Sequence, residues 1–218
     1  METTTVGDLR IVTPDLDTDD LDPFDDEPDD DLTEVRVENA SWRGLELAGA
    51  RIDRSLLVGV DLTDSVWRNL TLRGCRLENV DLSGSTFVGA TIERCEFVGC
   101  RMTGVHLART TLKDVTFTDC RLDYARLDEV RTTGPTAWIR CVLGSATLTN
   151  CRLPTAAITE CRIADLELTG CDLRGTDLRG SDVSGVTGLA SLRGATIDTA
   201  QLEDLAVLAA RELGLDVR

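Results

Sequence analysis

Residues 80–99 read VDLSGSTFVGATIERCEFVG. Every fifth residue is large and apolar: Leu82, Phe87, Ile92 and Phe97. Two places before each stands a smaller residue: Val80, Ser85, Ala90 and Cys95. A five-residue period suits neither an α-helix, with 3.6 residues per turn, nor a strand, whose side chains alternate every two. It suits a chain that turns a corner every five residues, with two side chains per unit pointing inward. Four units then close a square coil of about 20 residues, and successive coils stack at about 4.8 Å, the spacing of hydrogen-bonded strands.

The period extends well beyond this stretch. It begins at Val37 and runs through Trp42, Leu47, Ile52 and onward to Leu127 without a polar interruption. It slips by one residue between Leu127 and Trp138, then continues through Leu143, Leu148, Leu153, Ile158, Ile163, Leu168, Leu173 and Leu178 to Val183. The Gly134-Pro135 pair inside the slip predicts a corner bulge or a small projecting loop over 128–137. Glycine recurs two places after the large residue, as at Gly84, Gly89 and Gly99, where a corner calls for left-handed backbone. All eight cysteines, from Cys75 to Cys171, fall at the small inward position. They are expected as reduced, buried thiols acting as small hydrophobes. Residues 20 apart should stack, giving a charge column Asp53, Arg73, Glu93, Lys113 and a hydroxyl column Thr71, Thr91, Thr111.

These repeats, with Val80-Asp81-Leu82-Ser83-Gly84, Cys171-Asp172-Leu173-Arg174-Gly175 and Ser181-Asp182-Val183-Ser184-Gly185 as the clearest copies, resemble the pentapeptide-repeat family. The resemblance covers about residues 35–200 and implies an all-β solenoid, a right-handed quadrilateral β-helix of about seven coils. The best-known members bind DNA gyrase or topoisomerase IV and confer fluoroquinolone resistance by presenting a rod with the width and negative charge of duplex DNA.

The two ends read differently. Residues 1–33 carry 13 acids and one base, and a segment of such charge is expected to remain a disordered acidic tail. Residues 34–198 form the solenoid. From Thr199 the pattern becomes helical, with Leu202, Leu205, Ala206, Leu208, Ala209 and Leu213 on an apolar stripe. Residues 199–218 are therefore expected to cap the last coil and, as in gyrase-interacting relatives, to join two copies into a homodimer.

The chain has 218 residues and a net charge of −16, which argues against direct binding to nucleic acid or an anionic membrane. No apolar run approaches membrane-spanning length and no signal peptide is evident, so the expected compartment is the cytoplasm. The single histidine, His106, is expected on the surface. No metal cluster, cofactor loop or nucleophile–base pair can be assembled, so no enzyme, metal or cofactor is expected. The acids Glu160, Asp165, Glu167, Asp172, Asp177, Asp182 and Asp198 crowd the C-terminal coils, where residues 160–218 hold 11 acids and 6 bases. They are the candidate partner-binding surface. The function expected is a non-enzymatic protein-binding rod that imitates DNA toward gyrase or topoisomerase. The alternative is a general protein-interaction scaffold.

Overall fold

The computed structural model describes residues 2–28 and 31–216. Met1, Asp29 and Asp30 of the expected tail, and Val217 and Arg218 of the expected cap, lie outside these residues. The chain winds as a β-solenoid of about seven turns. One column runs Ser41, Asp61, Asp81, Arg101, Arg121, Val142, Arg162, Asp182, each bridged in parallel to the next. We call this side face 1. The columns centred on Leu47, Leu32 and Val37 are faces 2, 3 and 4.

The five-residue period acts as expected. The large residues and the small ones two places before them form one continuous buried cluster from Leu32 to Val186. Aromatic rings stack along the rod on face 4, with Phe97 on Phe117 at 4.7 Å and Phe117 on Trp138 at 5.3 Å. All eight cysteines are free, and all but Cys171 are fully buried. Each sulfur lies 3.2–3.7 Å from two backbone carbonyl oxygens, one in the coil before it and one two residues earlier. The thiol therefore fills the small site and donates a weak hydrogen bond. Ser85, Thr176 and Ser181 do the same with hydroxyls, at 2.6–2.8 Å.

The corners are left-handed whether or not glycine occupies them: Asn79 has φ 54° and Gly99, stacked above it, φ 64°. The side chain of Asn79 lies over Gly99, where a Cβ would come within 2.7 Å of its Oδ1. Asparagine and glycine alternate over Asn39, Gly59, Asn79 and Gly99, each asparagine side chain filling the space beneath the next glycine, whereas Asp119, Arg140 and Glu160 follow one another higher on the same corner.

The slip is a one-residue bulge with no projecting loop. The spacing between stacked residues is 20 up to Leu112↔Thr132 and becomes 21 from Val115↔Thr136. Thr132 takes the inward large position on face 3, and the Thr155 hydroxyl, 3.2 Å away, also donates to Gly134 O at 2.8 Å. A polar residue at that position is what hid the repeat there.

Residues 2–28 and 31–33 depart from expectation. Thr3–Val6 (β1) and Leu9–Val12 (β2) pair as an antiparallel hairpin. Ile11 is fully buried against Ala137 and Ala157 on the outside of face 4. Further on, Asp22-Pro23 and Leu32-Thr33 add rungs to the first coil, and Phe24 packs edge-on against Trp42 at 6.3 Å. The physical reason lies in where the charge sits. Residues 1–12 hold two acids and one base, with Val6, Leu9, Ile11 and Val12 available to pack, whereas 11 of the 13 acids lie between Asp15 and Asp31. Averaging over the whole segment concealed a strand-forming start.

At the other end Gln201–Glu212 (α1) lies across the last coil. Asp198 and Gln201 cap each other, backbone N–H to side-chain oxygen in both directions, at 3.1 and 2.8 Å. The buried Gln201 amide donates to Leu178 O and Ser181 O, both at 2.7 Å. At the far end of α1, Glu212 accepts from Gly188 N at 2.7 Å and from Leu189 N at 3.1 Å. Gly188 (φ 75°) is fixed by contact: a Cβ there would sit 1.8 Å from Leu168 O.

Candidate partner-binding surface

The interior leaves no room for a substrate. Its void of about 20 Å³ is lined by aliphatic and aromatic side chains, among them Leu62, Leu82 and Met102. Burial drives the Cys95 thiol well above the ordinary range, so it is held as the protonated, inert form. Among the described residues no group of His, Cys, Asp and Glu could hold a metal ion. None of their helices is long and apolar enough to cross a membrane. Binding chemistry therefore belongs to the outer faces, the corners and the two ends.

The seven candidate acids fall into two sets. Asp182 is on face 1, Glu160 and Asp165 stand on its two corners, and Glu167 lies just round the second corner on face 2; all four are exposed. Arg162, stacked directly beneath Asp182, interrupts this acidic edge. The other three are half-buried and held by the protein itself. Asp172, on face 3, is clasped by Arg174 through Nε at 2.8 Å and through Nη2, and Asp177, on face 4, by Arg179 at 2.9 and 2.7 Å. These pairs keep both carboxyls below the usual carboxylate range, Asp172 at about 2. Asp198 caps α1 and also accepts from Gly180 N at 2.8 Å. Asp182 accepts from Ser184 N at 3.0 Å, and its hydrogen bonds with Ser184 lower its pKa.

The apolar stripe of α1 divides as well. Leu205 and Leu208 pack on the core and Ala209 is half-buried, while Leu202, Ala206 and Leu213 face outward. Leu202 is 57% exposed and Leu213 73%, with Val207 and Leu215 exposed beside them. His106, on face 2, is half-buried with Nε2 2.7 Å from Asp128 Oδ2. That contact runs diagonally between neighbouring coils, since Arg126 is the residue stacked on His106 and Asp128 stacks on Ala108. The column Asp53, Arg73, Glu93, Lys113 stacks as its 20-residue spacing predicts, with Glu93 3.7 Å from Arg73 and 3.2 Å from Lys113.

A stack of square coils with a five-residue unit, closed at both ends and apolar inside, defines a solenoid repeat protein. The chain belongs to the pentapeptide-repeat family. The Pentapeptide repeat region model matches residues 70–136, and the Pentapeptide repeats (8 copies) model matches 139–180 and 158–187; together they span just over half of the chain. Among solved structures, a trypsin-treated variant of QnrB1, described as a plasmid-mediated fluoroquinolone resistance protein, is 18% identical, with 90% of this chain and 95% of that chain covered and a TM-score of 0.42. HetL, a pentapeptide repeat protein involved in heterocyst differentiation regulation from the cyanobacterium Nostoc, is 17% identical over 76% of this chain and 86% of its own, with a TM-score of 0.29. Among curated proteins none matches.

Proposed function

We propose that the chain is a non-enzymatic protein-binding rod whose C-terminal helix joins two copies end to end. The observation that carries this is the outer side of α1, where Leu202, Ala206 and Leu213 stand in solvent on a helix whose other side already covers the core. A contiguous exposed apolar stripe of this kind marks an association surface, and a two-fold pairing of like helices is the commonest way to bury one. Doubling would bring the acidic edges at Glu160, Asp165, Glu167 and Asp182 of both copies near the middle of a longer rod. Light scattering tests the pairing. Wild type is expected at twice the chain mass, and Leu202→Glu with Leu213→Glu at the single mass with unchanged strand content. A monomeric wild type would refute it.

The second reading is a DNA mimic that binds DNA gyrase or topoisomerase IV. The net charge of −16 and the four exposed acids around face 1 favour it. The internal pairing of Asp172 and Asp177 and the presence of Arg162 weigh toward a general interaction scaffold. Supercoiling by gyrase, with and without a fluoroquinolone, decides between them. Inhibition or drug protection at about micromolar protein supports mimicry, and no effect at tens of micromolar leaves the scaffold.

A further inference from the structure

The hairpin β1–β2 lies on the rod without joining its sheet. Asp8 meets Arg179 at 3.6 Å, Ile11 sits between Ala137 and Ala157, and Val12 N donates to Asp114 Oδ1 at 3.2 Å. These contacts descend through three coils, about 14 Å, which is what four extended residues span at about 3.3 Å each. β2 therefore runs along the rod axis, across the rungs, and its backbone cannot extend their parallel ladder. Its hold rests on Ile11 with the half-exposed Val6 and Leu9 beside it, one ion pair and one hydrogen bond to a carboxylate. A two-stranded hairpin is marginal in water by itself. Below the point where Ile11 docks, the strap is undermined. Spaces of about 460 and 310 Å³ separate residues 12–18 from Arg54, Arg73 and Arg94 on one side and from Leu56, Arg76 and Glu96 on the other.

The surface under Ile11 is unlike the rest of the exterior. The outward column of face 4 runs Arg36, Leu56, Arg76, Glu96, Thr116, Ala137, Ala157, Asp177. Three successive small, uncharged residues make a trench, closed at one end by Glu96 and at the other by Asp177 with Arg179. Capping does not account for what covers it, because Phe24, Leu32 and the rungs at Asp22-Pro23 and Leu32-Thr33 close the first coil.

We propose that this trench is a docking site for an extended partner segment that carries a branched aliphatic residue three places after an acid, and that β1–β2 is its displaceable internal occupant. Asp8 and Ile11 show the chemistry that fits: the acid meets Arg179, the aliphatic side chain fills the space over Ala137 and Ala157, and an adjacent N–H meets Asp114. Closed, the strap withholds the trench; a partner of the same pattern at higher local concentration replaces it. The inference rests on the rod being a protein-binding surface but on neither its dimerisation nor gyrase.

The test uses the full chain and a labelled peptide of residues 2–20 followed by fluorescence anisotropy. Ile11→Asp in the chain empties the trench without touching the rod core. That chain is expected to bind the peptide at least about ten-fold more tightly than wild type does. The peptide carrying the same substitution should not bind, and Ala157→Arg added to the chain should abolish binding. Hydrogen exchange supplies a second readout. The amides of Thr3–Val12 should exchange far faster than those of Thr111–Thr118, and slow exchange of the latter in Ile11→Asp shows that the rod is intact. The proposal is overturned by absence of peptide binding to Ile11→Asp up to about 1 mM, by equal binding of the substituted peptide, or by hairpin amides as slow as the rod's. It is also overturned if light scattering shows a wild-type dimer that Ile11→Asp dissociates, since the trench would then seat the hairpin of a second copy. A dimer lost in Leu202→Glu but kept in Ile11→Asp belongs to α1, so the two readings fail separately.

Discussion

Trp67 and Trp138 both point inward at the large position, and both stack on a phenylalanine one coil away, Phe87 at 6.3 Å and Phe117 at 5.3 Å. They differ in the indole N–H. Trp67 Nε1 donates to Ser65 Oγ at 2.8 Å, two residues back at the small position. Trp138 Nε1 is buried with no partner. The residue two places before it is Thr136, whose hydroxyl points to Gly134 O at 3.3 Å inside the bulge. Ser55 and Thr110 make the same contact two residues back, and the Thr136 hydroxyl does not meet the indole. Phenylalanine keeps each stack and removes the N–H. Trp67→Phe loses a satisfied hydrogen bond, whereas Trp138→Phe removes a group whose desolvation is uncompensated. Both leave a small cavity, so the comparison is between them. Trp67→Phe should cost about 1 kcal/mol more than Trp138→Phe in chemical denaturation. Equal costs would mean that the Ser65 contact contributes nothing.

At the scale of elements, α1 is held by side chains at its two ends more than by its apolar face, half of which looks outward. Gln201 is the anchor: its amide makes two hydrogen bonds to the last coils and its oxygen completes the cap with Asp198. Gln201→Ala leaves Ser181 O without its donor and Leu178 O with only the Ser181 N–H, and should loosen the helix by about 2 kcal/mol, read as faster hydrogen exchange in Gln201–Glu212 while strands such as Thr147–Thr149 keep their protection. Loss of protection in both would make the cap a condition of the rod itself. The solenoid elements were legible because each repeat announces itself twice, by a large residue and by a small one two places earlier. What escaped are the places where a local contact overrides that rule. Thr132 fills a large position with a polar side chain, and Gln201 buries an amide where an apolar residue would be expected. The hairpin escaped because Ile11 pairs with Ala137 and Ala157, more than a hundred residues away. For the candidate surface, the acids are visible as letters. That Arg174 and Arg179 fold back on Asp172 and Asp177 depends on the turns they enter, where each carboxylate also accepts the backbone N–H of the arginine two residues on.

Over the whole molecule, the acid-rich sequence titrates in two opposite directions. Asp177, Asp182 and Asp198 have depressed pKa values, from the Arg179 pair, from hydrogen bonds of Ser184, and from backbone N–H groups of Gly180 and Gln201. A depressed acid stabilises the fold above its unfolded value, and that stability is lost as pH falls through the folded value. Glu96 is the contrary case. Burial is the largest influence and raises it above the ordinary 4.5; Arg76 opposes the shift, while Glu2 and Glu78 add to it. An acid raised in the folded state destabilises the fold at pH values above its folded pKa, and the penalty disappears as pH falls below the unfolded one. Glu96→Gln removes the charge and nearly keeps the shape, so it should stabilise the protein at neutral pH. Its advantage over wild type should shrink as pH falls through the raised value and vanish near 4.5. The difference between the two melting temperatures is the readout, because the general relief of a net charge of −16 on acidification is common to both chains. A difference that stays constant from neutral pH down to about 4 would mean that Glu96 is solvated in the folded protein.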